Sequence, residues 1–307
     1  MERIIDCRDL RKVYPDGTVA LDGVSFSVGR RGIVTLLGRN GAGKTTLVRI
    51  ASTLSAPTSG SLEVLGMDVS REARSLRRRI ALMPQESNPP TFPRPGELIE
   101  AYLLARGWGL RDARRKANLM LEEVGLWEHR TKTVSELSGG MKRKVLLAMV
   151  LASGAELMFL DEPTVGLDPQ SRRAIWRILE DARGNGRAIL LTTHYMEEAE
   201  ALSDAVVIMD RGRVVAVGGV QEIVSSVGAT HKLEAQDVPG VADALARYGR
   251  IYRYGSKIVL YADRRAVEEA AAEVVRRGGG PLRIRDVGLE DAFTMLTGGM
   301  EEVRVNS

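Results

Sequence analysis

Residues 33–50 read IVTLLGRNGAGKTTLVRI. A short, mostly apolar run, Ile33 to Leu37, leads into Gly38-Arg39-Asn40-Gly41-Ala42-Gly43-Lys44-Thr45, and Leu47-Val48-Arg49-Ile50 continues as a helix. The middle segment fits the pattern G-x-x-x-x-G-K-[ST] between a strand and a helix. Its glycines let successive backbone N–H groups curl around phosphates, and the helix N-terminus adds a favourable dipole. In that setting Lys44 reaches the β- and γ-phosphates of a nucleotide and Thr45 holds magnesium.

Three further apolar runs repeat the first: Ile80 to Met83, Leu157 to Leu160 and Ala188 to Leu191. Runs this short, bounded by turn or polar residues, fit strands buried on both faces, as in a parallel sheet. Each ends in a polar element: Pro84-Gln85, Asp161-Glu162 and Thr192-Thr193-His194. Ligands of open α/β sheets bind beyond the carboxyl ends of the strands, so four strand ends point at one site. Asp161 is placed to serve the magnesium of the phosphate loop. Glu162, beside it, is placed to orient and polarise the water that attacks the γ-phosphate. His194 shares this edge and is expected at the γ-phosphate. Gln85 makes the same argument more weakly.

Leu137-Ser138-Gly139-Gly140-Met141 opens a helical run from Lys142 to Ala152. A serine and two glycines at a helix start form a second anion nest. One chain with one phosphate loop has no use for it. Two copies packed head to tail do, each nest closing on the other copy's ATP, so a homodimer is expected.

Around these motifs, Ile4 to Val28 reads as short strands and turns, with Pro15-Asp16-Gly17 as a turn signal. The stretch Pro89-Pro90-Thr91-Phe92-Pro93-Arg94-Pro95-Gly96 reads as a stiff, exposed loop. Leu98, Tyr102 and Ala105 share one helix face, as do Ala113, Ala117, Met120, Leu121 and Val124. Residues from about 90 to 152 therefore form a helical insert. After Gly218-Gly219 the order reads strand 231–236, helix 238–248, strand 250–254, strand 257–262, helix 264–277 and strand 282–287, then a helix from Leu289 to Leu296. That βαββαβ order fits a ferredoxin-like unit. The expected division is a cassette at 1–222 and a small α+β unit at 223–307.

Composition narrows the function. The 307 residues carry 44 Lys plus Arg against 40 Asp plus Glu, a net charge of only +4. The basic runs Arg77-Arg78-Arg79 and Arg114-Arg115-Lys116 are short, so a dedicated duplex binder is disfavoured and no specific nucleic acid is expected. A solvated face is the plain reading of both runs; weak contact with anionic lipid or nucleic acid is the alternative. One cysteine and three histidines argue against disulfides and a zinc cluster, and for a reducing compartment. No apolar run approaches the roughly 18 residues that cross a bilayer, and the charged N-terminus does not resemble a signal peptide.

The order and spacing of these motifs resemble the ATP-binding-cassette (ABC) ATPases. The matching residues are the phosphate loop 38–46, Gln85, Leu137-Ser138-Gly139-Gly140, Asp161-Glu162, Gly166-Leu167-Asp168 and His194. The resemblance covers roughly residues 1 to 220. It implies an α/β P-loop NTPase cassette with a mixed central sheet, an antiparallel β subdomain and a helical insert. It further implies that Tyr14, followed by Gly17 and Ala20-Leu21, stacks on adenine. Gly38, Asn40, Gly41, Ala42, Gly43, Lys44, Thr45 and Thr46 would cradle the nucleotide. Ser138, Gly139 and Gly140 would serve the partner's γ-phosphate, and Asp168 would align the dimer interface. The expected cofactors are ATP and magnesium, with Gln85 beside Thr45 and Asp161 around the metal, and the expected catalytic set is Glu162, His194 and Lys44.

Met141 departs from the glutamine of many importers; a thioether cannot donate the hydrogen bonds of an amide. Met followed by basic residues is similar to the drug-, lipid- and polysaccharide-exporting branch, and the tail Gly288-Leu289-Glu290-Asp291-Ala292-Phe293-Thr294-Met295-Leu296-Thr297-Gly298 resembles the end of that branch's C-terminal domain. That branch implies a separate membrane permease, met through region 86–108, with Tyr102 and Trp108 as contact candidates. The expected location is the cytoplasmic face of the membrane. Two other classes stand beside this one. A soluble ABC protein working on ribosomes or DNA usually carries two cassettes or long coiled coils. A P-loop kinase leaves the Ser138 nest and His194 without a role.

Overall fold

A computed structural model describes residues 3–29, 32–280, 282–299 and 301–303. The chain divides into two compact units, Met1–Val217 and Gly218–Ser307.

The first unit runs β1 (Arg3–Val13), β2 (Val19–Gly29), β3 (Gly32–Leu37), α1 (Lys44–Ala51), β4 (Ser59–Val64), β5 (Met67–Asp68), α2 (Ala73–Arg79) and β6 (Ile80–Met83). It continues α3 (Pro95–Ala105), α4 (Leu110–Glu123), α5 (Gly139–Ala152), β7 (Leu157–Asp161), α6 (Pro169–Gly184), β8 (Ala188–Thr193), α7 (Met196–Leu202), β9 (Ala205–Asp210) and β10 (Arg213–Gly218). The central sheet has the order β10-β9-β3-β8-β7-β6. Its strands from β9 to β6 pair in parallel. The two-residue turn Arg211-Gly212, both at positive φ, brings β10 back beside β9, which makes the sheet mixed. Alternate residues of each strand feed two cores. Met158, Leu160, Ile189 and Leu191 pack beneath the helical insert, and Leu157, Phe159, Ala188 and Leu190 pack on the opposite face. Burial on both faces is why these strands read as continuous apolar runs.

A second sheet, β2-β1-β4-β5, is antiparallel throughout its pairings. Its first two strands run 11 residues each, where the sequence suggested short ones. Register shifts near Asp9, which has φ 47°, let one long strand pass the turn-like Arg8-Asp9 without ending.

Two sequence expectations for the insert need correction. Pro95-Gly96 is the first turn of α3, not loop, because proline at N1 loses no intrahelical bond. The buried face of α3 is Pro95, Leu98, Ile99 and Leu103, while Ala105 is exposed at the helix end. In α4, Ala113, Ala117, Met120 and Leu121 are buried, and Val124 is buried just beyond its end.

The second unit runs α8 (Val220–Ser225), β11 (His231–Gln236), α9 (Val241–Leu245), β12 (Arg250–Tyr254), β13 (Lys257–Ala262), α10 (Arg264–Arg276), β14 (Arg283–Asp286), α11 (Leu289–Leu296) and β15 (Glu301–Glu302). Its antiparallel sheet has the order β14-β11-β13-β12-β15, a βαββαβ unit with one short strand added at the edge. Leu233, Leu245, Ile258, Leu260, Val267 and Val274 form a core of its own.

Candidate nucleotide site

Register brings the strand ends together. Leu37 of β3 pairs with Thr193, Asp161 of β7 pairs with Thr192, and Met83 of β6 pairs with Leu160. The phosphate loop, Gln85, Asp161-Glu162 and His194 therefore leave one edge of one sheet.

The loop needs its glycines for space as well as conformation. A Cβ on Gly38 would lie 2.5 Å from the Met209 carbonyl oxygen. Gly43 sits at φ 101°, and a Cβ there would lie 2.6 Å from the Ala20 carbonyl oxygen. Ala42 fits because its methyl is buried, and its N–H closes the loop on the Arg39 carbonyl at 3.1 Å.

Lys44 is buried. Its Nζ donates to the carbonyls of Gly38 at 2.7 Å and Arg39 at 3.1 Å, and lies 3.4 Å from Glu162 Oε1. Burial lowers its pKa, and the neighbouring Glu162 and Asp161 carboxylates oppose that shift. Thr45 Oγ1 lies 3.3 Å from Asp161 Oδ1 and 3.5 Å from Gln85 Oε1. The three oxygens form a hard donor set with one carboxylate, which suits a small dication that takes its remaining ligands from phosphates. Asp161 also accepts from Thr192 Oγ1 at 2.5 Å. Burial raises its pKa, opposed by the hydrogen bonds from Thr192 and Thr45.

Glu162 is buried and has φ 48°, in the left-handed region that a non-glycine residue adopts at a cost. Its N–H is held by β8, donating to Thr192 Oγ1 at 2.9 Å and to the Thr192 carbonyl at 3.2 Å. Its side chain receives Gln85 Nε2 at 3.1 Å on Oε2, with His194 Nδ1 3.4 Å from the same oxygen. His194 is partly exposed and its ring lies against Tyr195, centroids 4.2 Å apart.

Lys44, Thr45, Gln85 and Glu162 open onto a cleft of about 350 Å³ whose walls include Tyr14, Asn40, Gly41 and Thr46, while Asp161 lines a second cleft that shares Thr45 and Gln85 with the first. Tyr14 stands at the rim of the first, with its hydroxyl 3.2 Å from Thr46 Oγ1. Ser138, Gly139, Gly140 and Asp168 do not line this cleft. They come together elsewhere. Ser138 caps α5, its Oγ accepting from Met141 N at 3.3 Å. Asp168 caps α6 by accepting from Ser171 N at 2.9 Å and Ser171 Oγ at 2.6 Å, which hold its pKa low. A Cβ on Gly140 would lie 2.7 Å from that Ser171 Oγ, so the two helix starts abut. Met141 turns partly into the core beneath the insert.

Sequence reasoning named Thr192 only as part of a strand end, and it missed Glu198 and Arg143. Thr192, inside the buried run of β8, holds both Asp161 and Glu162. Glu198 is fully buried and accepts from Thr164 Oγ1 at 2.7 Å and Trp176 Nε1 at 2.9 Å. Arg143 is buried beneath Glu162. A charged residue at core spacing, four positions beyond His194 or two beyond Met141, is the signal that would have found the last two.

The geometry agrees with what the chain is similar to. Residues 21–165 match the family model described as "ABC transporter". The doxorubicin resistance ATP-binding protein DrrA of Mycobacterium tuberculosis is 38% identical over 272 residues, 87% of this chain and 81% of that protein. Nod factor export ATP-binding protein I of Burkholderia thailandensis is 36% identical over 300 residues, covering 96% and 97% of the two chains. A solved structure described as the ATP-binding subunit of an ABC transporter superposes with a TM-score of 0.65 at 29% identity, covering 73% of this chain and 93% of that one. On these grounds the chain belongs to the ABC transporter family, as an ATP-binding ATPase subunit of the exporter-like kind.

Proposed function

We propose that this chain hydrolyses ATP in a head-to-tail homodimer and thereby drives outward transport by a separate membrane permease. The observation that carries the catalytic part is the meeting of Lys44, Gln85, Asp161, Glu162 and His194 at one sheet edge. Lys44 holds the β- and γ-phosphates in the cradle of Gly38 to Thr46, and Tyr14 faces the adenine. A magnesium ion held by Thr45, Gln85 and Asp161 would supply charge neutralisation at the phosphates. Glu162 orients the attacking water and accepts its proton, and His194 contacts the γ-phosphate. Ser138 and Gly140 sit on a helix start outside the chain's own cleft, which supports their use on a second copy's ATP, with Asp168 beside them.

The permease is proposed to dock at region 86–108, placing the protein at the cytoplasmic face of the membrane. Tyr102 and Trp108 pack partly into the core, whereas Phe92 is 91% exposed. It stands in a loop with prolines on both sides, in the region where the family resemblance puts the permease contact. Export is the direction carried by the names of the relatives.

The test is capture from native membranes with Glu162→Gln as bait and ATP present. A co-purifying protein with several membrane spans is expected. Ribosomal or DNA-associated proteins with no membrane partner would overturn the transporter reading. In the same variant, hydrolysis should fall by roughly 100-fold or more while ATP binding is kept. Near-normal turnover would remove Glu162 from the role of base.

A further inference from the structure

Arg143 lies inside the cassette, 9% exposed, one turn into α5 from Ser138. Its guanidinium reaches two loops from a third element. Nε donates to the Pro163 carbonyl at 2.9 Å, and Nη2 donates to the Glu162 carbonyl at 2.8 Å. Nη1 and Nη2 both donate to the Gln85 carbonyl, at 3.1 and 3.2 Å. Three backbone oxygens are thus gathered by one planar fork.

From this geometry we infer that Arg143 is a positioning residue for hydrolysis: it mounts Glu162 and Gln85 on the helix that carries the Ser138 nest. The inference rests on the proposed roles of Glu162 and Gln85. Glu162 holds a left-handed backbone that persists only when its surroundings over-determine it. Thr192 secures the N–H side of that residue, and Arg143 secures the C=O side. With both ends of the residue fixed, its Cα–Cβ bond has one direction in which to leave the backbone, and Gln85 Nε2 and Lys44 Nζ then meet the carboxylate. The same guanidinium ties down the start of the loop that follows β6, so Gln85 and Glu162 keep a fixed separation. Any shift of α5 is passed to both at once. In the head-to-tail dimer, the state of the partner's ATP at Ser138 reaches this chain's own carboxylate through a single side chain.

The chemistry calls for arginine. Charge-assisted bonds to carbonyls are strong, and the rigid fork spreads its donors over distinct directions. A lysine ammonium supplies charge at one point and cannot span the three oxygens.

The experiment compares full-length wild type, Glu162→Gln, Arg143→Lys and Arg143→Gln for ATP affinity, melting temperature and steady-state ATPase. Wild-type turnover and its loss in Glu162→Gln establish the parent reading separately. If Glu162→Gln turns over normally, that reading fails, whatever Arg143 does. With it standing, both Arg143 variants should keep ATP affinity and KM within about threefold while kcat falls about 10- to 100-fold, the scale of a misplacement near 1 Å. A change that merely loosened the fold would move affinity and melting temperature together with kcat. Full kcat in Arg143→Lys would overturn the inference by showing that charge alone suffices. Loss of nucleotide binding in both variants would also overturn it, assigning Arg143 to folding only.

Discussion

Residue by residue, the site is built from groups whose ordinary behaviour is altered by burial. Glu198 illustrates this. Its Oε1 takes hydrogen bonds from Thr164, on the turn after Glu162, and from Trp176 on α6, while Oε2 has no hydrogen-bond partner among the described residues. Burial raises its pKa above the ordinary 4.5, against the hydrogen bonds from Thr193, Thr164 and Trp176 and the charge of Arg172, so the folded chain binds this proton more tightly than the unfolded chain does. Stability from this group is full below pH 4.5 and is lost as pH rises through the folded value. Glu198→Gln keeps the Oε1 acceptor and should flatten that dependence, giving melting temperatures that fall less than wild type between mildly acidic and alkaline pH. Glu198→Ala leaves the Thr164 hydroxyl and the Trp176 N–H unpaired and should cost about 2 kcal/mol or more in denaturant unfolding. An unchanged pH profile in Glu198→Gln would contradict a carboxyl that binds its proton more tightly in the folded chain. Nothing in the local sequence marks this residue out; Glu198 sits in Met196-Glu197-Glu198-Ala199-Glu200, where three glutamates look alike and only packing distinguishes them.

Among the elements, helix starts and strand ends carry most of the residues proposed for the chemistry. The start of α5 abuts the start of α6 through Gly140 and Ser171. Gly140→Ala should displace Ser171 and with it Asp168. The expected result is at least a tenfold loss of ATP-driven dimerisation, read by size-exclusion chromatography in the Glu162→Gln background, with single-site ATP affinity intact. The loop before α3 has a different part. Phe92→Ser removes an exposed ring and no core contact, so melting temperature and ATP affinity should hold while recovery of the membrane partner drops severalfold. Equal recovery would move docking away from this loop. The strands with polar or Gly-rich ends were legible because a run buried on both faces cannot hide its composition. Strand β9, with Val206, Val207, Ile208 and Met209 all buried, carries the same signature but no catalytic ending to draw notice. Helix α3 was legible in kind and in part of its face, since Leu98 is buried and Tyr102 packs against the core. A proline at N1 moved its start, and the short helix placed Ile99 and Leu103 inward where Ala105 had been expected.

At the scale of the whole molecule, two units with separate cores stand in one chain. The second holds a buried network in which Asp291 accepts from Lys232 Nζ at 2.8 Å and Tyr261 Oη at 2.7 Å. It is proposed to stabilise the homodimer or regulate turnover. A chain ending at Gly219 should fold and bind ATP, because its cores are complete, but should dimerise more weakly with ATP; dimerisation and hydrolysis at full-length levels would refute that role. The sequence by itself determined the chemistry of the first unit. A phosphate loop, an acid pair and a serine-glycine nest require particular atoms at particular spacings, and those spacings are local. Only the tertiary structure decided how these parts are held. Glu162 points into the cleft because Thr192 and Arg143, 30 and 19 residues away along the chain, grip its backbone from opposite sides. Such grips form between segments that meet only on folding, so no local pattern records them.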